Sequence, residues 1–171
     1  MSADPESPSS RSLGPQRIGT GVVIGENLIL TVGYLLIEAE DIDVLDHQQR
    51  RLPANVAAYD PASGFGLVKT VVPLKLQAVR MGDSDGLKLP RRLLTLGQSE
   101  KELTELFLVS RKPYAGNWEY LVDAPLMTIP AVNNWSGAGL FDDDGALIGI
   151  GSLKNVNFTK TATDFLNSLR C

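Results

Sequence analysis

The sequence has few of the residues that build metal clusters or covalent cross-links. Among its 171 residues there is one cysteine, Cys171, and one histidine, His47. A single cysteine excludes an internal disulfide and a cysteine metal cluster, and a single histidine argues against a histidine-rich metal site. The residues therefore predict no bound metal and no cofactor.

The sequence also lacks an excess of basic residues and a long apolar run. Its 16 basic and 20 acidic side chains give a formal net charge of −4, whereas a nucleic-acid-binding face needs clustered Lys and Arg to neutralise phosphates. No apolar run approaches the roughly 20 residues of a membrane-spanning helix. We therefore expect a protein that binds no nucleic acid and has no membrane span.

What the sequence does contain is enough apolar material for a core, together with many turn-forming residues. Hydrophobic residues make up 43% of the chain, and there are 16 glycines and 10 prolines. This combination favours many short strands joined by turns. Short apolar runs fall into two halves that join near residues 81–90, which predicts a double barrel.

The chain divides into one domain with two flanking segments. Residues 1–16 are rich in Ser and Pro and predict a disordered tail. Residues 17–82 and 83–158 are the predicted barrels, and apolar residues at helical spacing predict a short helix over 159–171. The tail lacks the apolar stretch of a secretory signal. The chain is thus expected to be cytoplasmic, or exported to the periplasm if a signal has been removed, and its oligomeric state stays open.

Two short polar segments predict hairpin turns. HQQR at 47–50 connects two alternating segments, and DDDG at 142–145 joins two apolar strands. Three consecutive acids are able to bind a cation, but in a hairpin turn they usually face solvent. We predict no metal site there.

The segment at 133–141, which reads NNWSGAGLF, carries the candidate chemistry. A serine on a Gly-rich turn between strands projects its hydroxyl outward, while nearby backbone N–H groups can converge on an oxyanion. Taken alone, this segment favours the alternative that Ser136 and its glycines only form a turn. Other segments of the chain favour the interpretation that Ser136 is a catalytic serine.

Four segments occur in the order found in the trypsin-fold serine proteases of the HtrA-like group, and the chain resembles that group over residues 18–152. The segments are GTGVVIGENLILTVGYLL, RLPANVAAYDPASGFGLVK, VRMGDSDGLKLPRRLLTLGQ and LVDAPLMTIPAVNNWSGAGLFDDDGALIGIGSL. The resemblance implies an all-β fold of two perpendicular six-stranded antiparallel barrels with a short C-terminal helix. It also implies a cleft between the barrels that binds a peptide or a protein partner.

The resemblance assigns three catalytic positions, and two of them lack the family's residue. The nucleophile falls on Ser136, the histidine base on Tyr34 and the orienting aspartate on Gly64. A tyrosine has a pKa near 10 and is protonated at neutral pH, so it does not act as a base there. Glycine has no side chain with which to orient any base.

The resemblance also assigns the groups that would hold a substrate. The backbone N–H groups of Asn134 and Ser136 correspond to the family's oxyanion hole, with Trp135 between them. The strand at Ile150, Gly151 and Ser152 corresponds to the edge that pairs with the substrate backbone. The implied ligand is an extended peptide.

These residues predict a pseudoprotease: a serine protease homologue that binds peptide without cleaving it. One alternative is an active serine endopeptidase with a different base, for which Lys69 and Lys154 are weak candidates because lysine must be strongly desolvated to lose its proton. His47 is predicted to be a surface turn residue, and Asp123 a capping residue at a strand end. The other alternative is a structural interaction domain whose cleft is filled by Tyr34 and Trp135.

Overall fold

The computed structural model describes residues 1–96, 103–115, 121–133 and 135–154, and these residues form mainly short β-strands. The first half contains β1 (Ser2–Ala3), β2 (Val22–Val23), β3 (Leu28–Val32), β4 (Ala39–Leu45), β5 (Arg51–Asp60) and β6 (Phe65–Thr70). The second half contains β7 (Arg91–Leu96), β8 (Leu103–Ser110), β9 (Met127–Ile129), β10 (Gly139–Phe141) and β11 (Leu147–Ile150). The helices in these residues are the short α1 (Ser10–Leu13) and a 3-10 helix at Gly33–Leu36.

The strands form two antiparallel sheets, one from each half of the chain. The first sheet has the order β1-β4-β5-β6-β3-β2 and the second the order β11-β10-β7-β8-β9. This confirms the prediction of an all-β chain in two halves. The finer prediction of two perpendicular six-stranded barrels is not confirmed, since the described residues supply six strands to one sheet and five to the other. The predicted C-terminal helix at 159–171 lies outside the described residues.

Residues 1–16 differ from the disordered tail that their composition predicts. In the structure β1 pairs with β4, and Ala3 is buried. The segment is held by polar contacts: the buried Arg17 guanidinium donates to the backbone oxygens of Gly14 and Ile37 and to the Ser9 hydroxyl. Hydrogen bonds to backbone acceptors thus order a stretch that has little apolar surface to bury.

Apolar side chains form a core on each sheet and a third cluster that joins the sheets. On the first sheet Ile29, Val32 and Val68 are buried together, and on the second Leu93 and Leu108 are fully buried. The joining cluster consists of Val22, Leu30 and Leu147. Burial of these side chains fixes the two sheets side by side, with β3 and β11 close to each other.

Both predicted hairpin turns are confirmed, and each is held by an aspartate. Asp46 directly follows β4, and its carboxylate accepts hydrogen bonds from Gln48 N, Arg50 N and the Arg50 guanidinium. Asp142 accepts from Asp144 N and Ala146 N in the β10–β11 turn. The side chains fold back on their own turns, as short polar residues commonly do.

The first prediction concerns the pH dependence of the Asp46 turn. Desolvation raises the pKa of this carboxyl, but hydrogen bonds from Arg50 and Gln48 and the charge of Arg50 outweigh it, so the net pKa lies below the ordinary value. A depressed folded-state pKa stabilises the protein above the unfolded-state value, about 3.9, and this contribution is lost as the pH falls through the folded pKa.

We expect Asp46→Asn to lower the Tm at pH 7 and to have a progressively smaller effect below about pH 4. Thermal unfolding of both proteins between pH 7 and pH 2.5 measures this difference. Asp143→Asn is the control, because that carboxylate is exposed and pairs with Arg91 and Arg92 on the surface. A Tm difference for Asp46→Asn that stays constant down to pH 2.5 contradicts the assignment.

Candidate functional site

The 3-10 helix after β3 presents Tyr34 to the space between the sheets. Leu35 and Leu36 are buried in the first core, whereas Tyr34 is half-buried. The start of this turn is tied to the first sheet, because Gly33 N donates to Gly64 O at 2.7 Å. Buried leucines on one side and a backbone hydrogen bond on the other hold the phenol of Tyr34 over the cleft.

The turn that carries Ser136 belongs to the second half of the chain but contacts the first. Gly137 follows Ser136 with a φ of +77°, a backbone conformation that residues other than glycine rarely adopt. A Cβ at this position would also overlap Thr20 O. Thr20 donates from its N–H and its hydroxyl to Ser136 O, at 2.8 and 3.0 Å. The glycine thus permits the close approach of the serine turn to the first sheet.

Tyr34 and Ser136 meet across the two sheets. The Tyr34 Oη and Ser136 Oγ atoms are 2.7 Å apart, a short hydrogen bond between residues separated by 102 positions in the chain. The Tyr34 hydroxyl also donates to Ser152 O at 3.4 Å. The Trp135 ring lies 6.5 Å from the Tyr34 ring, tilted by 52°. The structure therefore brings together two residues that the sequence places in one site.

Gly64 lies beside this pair at the start of β6. Its carbonyl accepts the Gly33 hydrogen bond, its φ is +72°, and a Cβ built on it meets no atom within 4 Å. The position is therefore next to the Tyr34 turn, as the resemblance implies, but it supplies a backbone carbonyl and no side chain. Asn134, the other predicted oxyanion residue, lies outside the described residues.

A cavity of about 580 Å³ extends from this pair between the sheets. Its walls are largely apolar and aromatic, and they include Tyr34, Tyr59, Phe65, Trp135, Leu140 and Ile148. Among the described lining residues, Lys154 is the charged one. This volume and lining fall in the range of ligand-binding clefts.

The second sheet ends at β11, whose last residues border the cavity. Gly151 N donates to Ala138 O, and Gly137 N donates to Gly151 O, both at 2.8 Å. Both backbone groups of Gly151 thus face the neighbouring segment. Because backbone groups alternate in direction along an extended chain, those of Ile150 and Ser152 face away from that segment, and Ser152 O accepts from the Tyr34 hydroxyl.

The family model for the trypsin-like peptidase domain matches residues 19–150. The chain belongs to this family. The match begins beside Thr20, which contacts the Ser136 carbonyl, and ends at Ile150, the last residue of β11. It therefore spans every strand of both sheets except β1, together with Tyr34 and Ser136.

Within this family, the chain is similar to HtrA-type proteases, both in sequence and in structure. It is 30% identical over 142 residues to a probable periplasmic serine endoprotease DegP-like of Pseudomonas fulva (strain 12-X), covering 80% of this chain and 29% of the relative. It is 28% identical to the periplasmic serine endoprotease DegP of Escherichia coli (strain K12), covering 78% of this chain. The chain spans 29% of the length of each of these relatives.

Two structures illustrate the likeness in fold. An HtrA-type protease AlgW with tripeptide superposes with a TM-score of 0.66 at 26% identity, covering 77% of this chain and 45% of the other. The MamO protease domain from Magnetospirillum magneticum gives a TM-score of 0.64 at 22% identity, covering 81% of this chain and 77% of the other.

In the part of this chain that the structure describes, no helix has the length and apolarity to cross a bilayer.

The remaining candidates from the sequence lie at other places in this trypsin-like chain. His47 is exposed in the β4–β5 turn, Lys69 is exposed on β6, and Asp123 is exposed. Among the described residues, Tyr34 is the side chain hydrogen-bonded to Ser136 Oγ. The sequence gives no signal for Thr20, which lies between two glycines, or for Thr31, which has the pattern of an ordinary strand residue.

The second prediction concerns Gly137, which allows the serine turn to approach the first sheet. We expect Gly137→Ala to cost about 1–2 kcal/mol for the left-handed backbone and a further 1–3 kcal/mol for overlap with Thr20 O. Gly145→Ala is the matched control, because its φ is +73° but a Cβ there meets no atom within 4 Å. Urea unfolding should show a clearly larger loss for Gly137→Ala, and equal losses contradict the close approach.

Proposed function

We propose that this chain is a trypsin-fold pseudoprotease, which binds an extended peptide or a protein segment in the cleft between its sheets without hydrolysing it. The observation that carries this proposal is the 2.7 Å hydrogen bond between Tyr34 Oη and Ser136 Oγ. A phenol occupies the position from which a base must take the proton of the serine. The nucleophile is present, and among the residues that the structure describes the side chain hydrogen-bonded to it is a phenol.

The chemistry of the phenol explains why such a site is silent. A serine hydroxyl attacks a carbonyl only when a neighbour removes its proton, and histidine does so because its pKa of about 6.5 lets it accept and return a proton near neutral pH. A tyrosine hydroxyl already holds its proton at that pH, so it can exchange hydrogen bonds with Ser136 but cannot deprotonate it. Loss of the histidine base in a serine protease lowers turnover by on the order of a millionfold.

The position of the orienting acid supports the same conclusion. Gly64 offers its carbonyl to Gly33 N, and there is no carboxylate at this position to fix the tautomer of an imidazole or to stabilise its cation. A single change at position 34 would therefore restore only part of the proton relay. Both changes are needed for an aligned base.

Peptide binding is supported by the part of β11 that borders the cavity. The backbone groups of Ile150 point away from β10, and an extended peptide can add to such an edge as a further strand. The apolar cavity beside this edge can receive side chains of the ligand. The HtrA-type protease AlgW, which shares this fold, has been solved with a tripeptide and with a decapeptide.

The third prediction is the absence of an activated serine. We expect a fluorophosphonate probe to label the wild-type chain no more than it labels Ser136→Ala, because the probe reacts with a deprotonated serine. The double variant Tyr34→His/Gly64→Asp should gain labelling at Ser136, since aspartate tolerates the left-handed backbone of position 64 and has open space there.

Two comparisons make this experiment decisive. Tyr34→Phe removes the phenol oxygen, so labelling that is present in the wild type and absent in Tyr34→Phe would identify Tyr34 as a working base. Labelling of the wild type that persists in Lys154→Met and Tyr34→Phe but not in Ser136→Ala would indicate another base. Either result overturns the pseudoprotease and supports an active endopeptidase.

The fourth prediction is binding by strand addition in the cleft. Peptides selected from a random displayed library on the immobilised chain should be weakened about tenfold by N-methylation at alternate positions and little at the positions between, because only every second N–H pairs with a strand edge. Isothermal titration measures each affinity. Weakening with no alternation contradicts strand addition.

The place of binding is tested with two exposed apolar residues. Phe65 lines the cavity and is 41% exposed, whereas Val71 is 61% exposed and does not line it. Phe65→Ala should lower the affinity of the selected peptides, and Val71→Ala should not. If the library yields no peptide that is sensitive to Phe65→Ala, the structural interaction domain becomes the better reading.

A further inference from the structure

The serine turn is attached to the first sheet by a chain of hydrogen bonds that starts at a buried strand residue. Thr31 lies in β3 and is 3% exposed, and its hydroxyl donates to Thr20 O at 2.6 Å. Thr20 in turn donates both its N–H and its hydroxyl to Ser136 O. One donor on β3 and two donors on Thr20 therefore connect the first sheet to the carbonyl of Ser136.

The same hydrogen bonds continue beyond Ser136 to the strand that borders the cleft. Gly137 N donates to Gly151 O, and Gly151 N donates to Ala138 O. Gly151 separates Ile150 and Ser152, and all three residues line the cavity. The position of this edge relative to the first sheet is thus linked to the position of the serine turn.

We propose that Thr20 is a positioning residue that fixes the serine turn against the first sheet, and with it the contact of Ser136 with Tyr34 and the alignment of the peptide-binding edge. The physical reason is geometric. A carbonyl that accepts two hydrogen bonds from one residue cannot slide or rotate without losing one of them. The Thr31 hydroxyl donates to Thr20 O and so fixes Thr20 itself. The position of the serine turn therefore depends on a buried strand and not on a surface loop.

The part of this proposal that concerns peptide affinity rests on the proposed function, whereas the part that concerns Ser136 does not. The test therefore uses a chemical reporter at position 136 together with the peptide measurement. Ser136→Cys in a Cys171→Ser background places a single thiol in the chain. Its rate of alkylation by iodoacetamide as a function of pH reports both its exposure and its pKa.

A hydrogen bond donated by Tyr34 to the thiolate favours the charged form and lowers the thiol pKa. Tyr34→Phe, made in the same background, removes that bond and gives the reference pH profile for a lost contact. We expect Thr20→Val to shift the profile toward this reference and to raise the plateau alkylation rate by about fivefold. The reason is the loss of one of the two hydrogen bonds that Thr20 donates to the carbonyl of residue 136. Thr20→Ser keeps the hydroxyl and should retain the original profile.

A matched control separates positioning from a general loss of stability. The Thr95 hydroxyl is buried and donates to Gly139 O at 2.7 Å, so Thr95→Val also removes a threonine-to-carbonyl bond close to the turn, but one within the second sheet. It should lower the Tm without moving the alkylation profile. If Thr20→Val does not fold, Thr31→Val tests the same chain of bonds one step back and should shift the profile in the same direction.

The outcomes distinguish the two proposals. An alkylation profile that is the same in Thr20→Val, Thr31→Val and the parent overturns the positioning role, whatever the peptides do. A shifted profile with no binding of any selected peptide to the parent supports the positioning role and counts against peptide binding. If the positioning role and peptide binding both hold, Thr20→Val should lower the affinity of the selected peptides about fivefold, and Thr20→Ser should not.

Discussion

The contact between the hydroxyls of Tyr34 and Ser136 joins two sheets that come from different halves of the chain, and the rest of the site is arranged around it. Neither residue could hold this position alone. Tyr34 is fixed by buried leucines that follow it in the 3-10 helix, and Ser136 by the hydrogen bonds that its carbonyl accepts from Thr20. The contact thus depends on how the two sheets pack, and the cluster of Val22, Leu30 and Leu147 sets that packing.

Hydrolysis and peptide binding have separate physical requirements in this fold. Hydrolysis needs a titratable group that accepts and returns a proton near neutral pH, and it fails when one or two side chains change. Strand addition needs outward-facing backbone groups and an apolar cavity, which depend on the whole sheet. Under the proposed function, Tyr34 and Gly64 bear on the first of these requirements and not on the second. A protease fold that lacks the first can then still serve as a binding domain.

Sequence patterns are informative in this chain where the interactions that form an element are local. The hairpin turns at 47–50 and 142–145 were predictable, because an aspartate folding back on its own turn is a local interaction. The order of residues 1–16 was not, since it depends on Arg17 donating to the backbone oxygens of Gly14 and Ile37. Backbone acceptors are the same at every position, so composition cannot reveal which of them a distant guanidinium will reach.

The residue types of the site are readable from the amino-acid order: a serine on a Gly-rich turn, a tyrosine where the resemblance implies a histidine, and a glycine where it implies an aspartate. These follow from the order of the chain and need no coordinates. The packing of the two sheets places the phenol and the serine hydroxyl within hydrogen-bond distance, and it brings Thr20 to the carbonyl of Ser136. Contacts between residues more than a hundred positions apart are set by the packing of two sheets, and no local pattern of residues encodes their geometry.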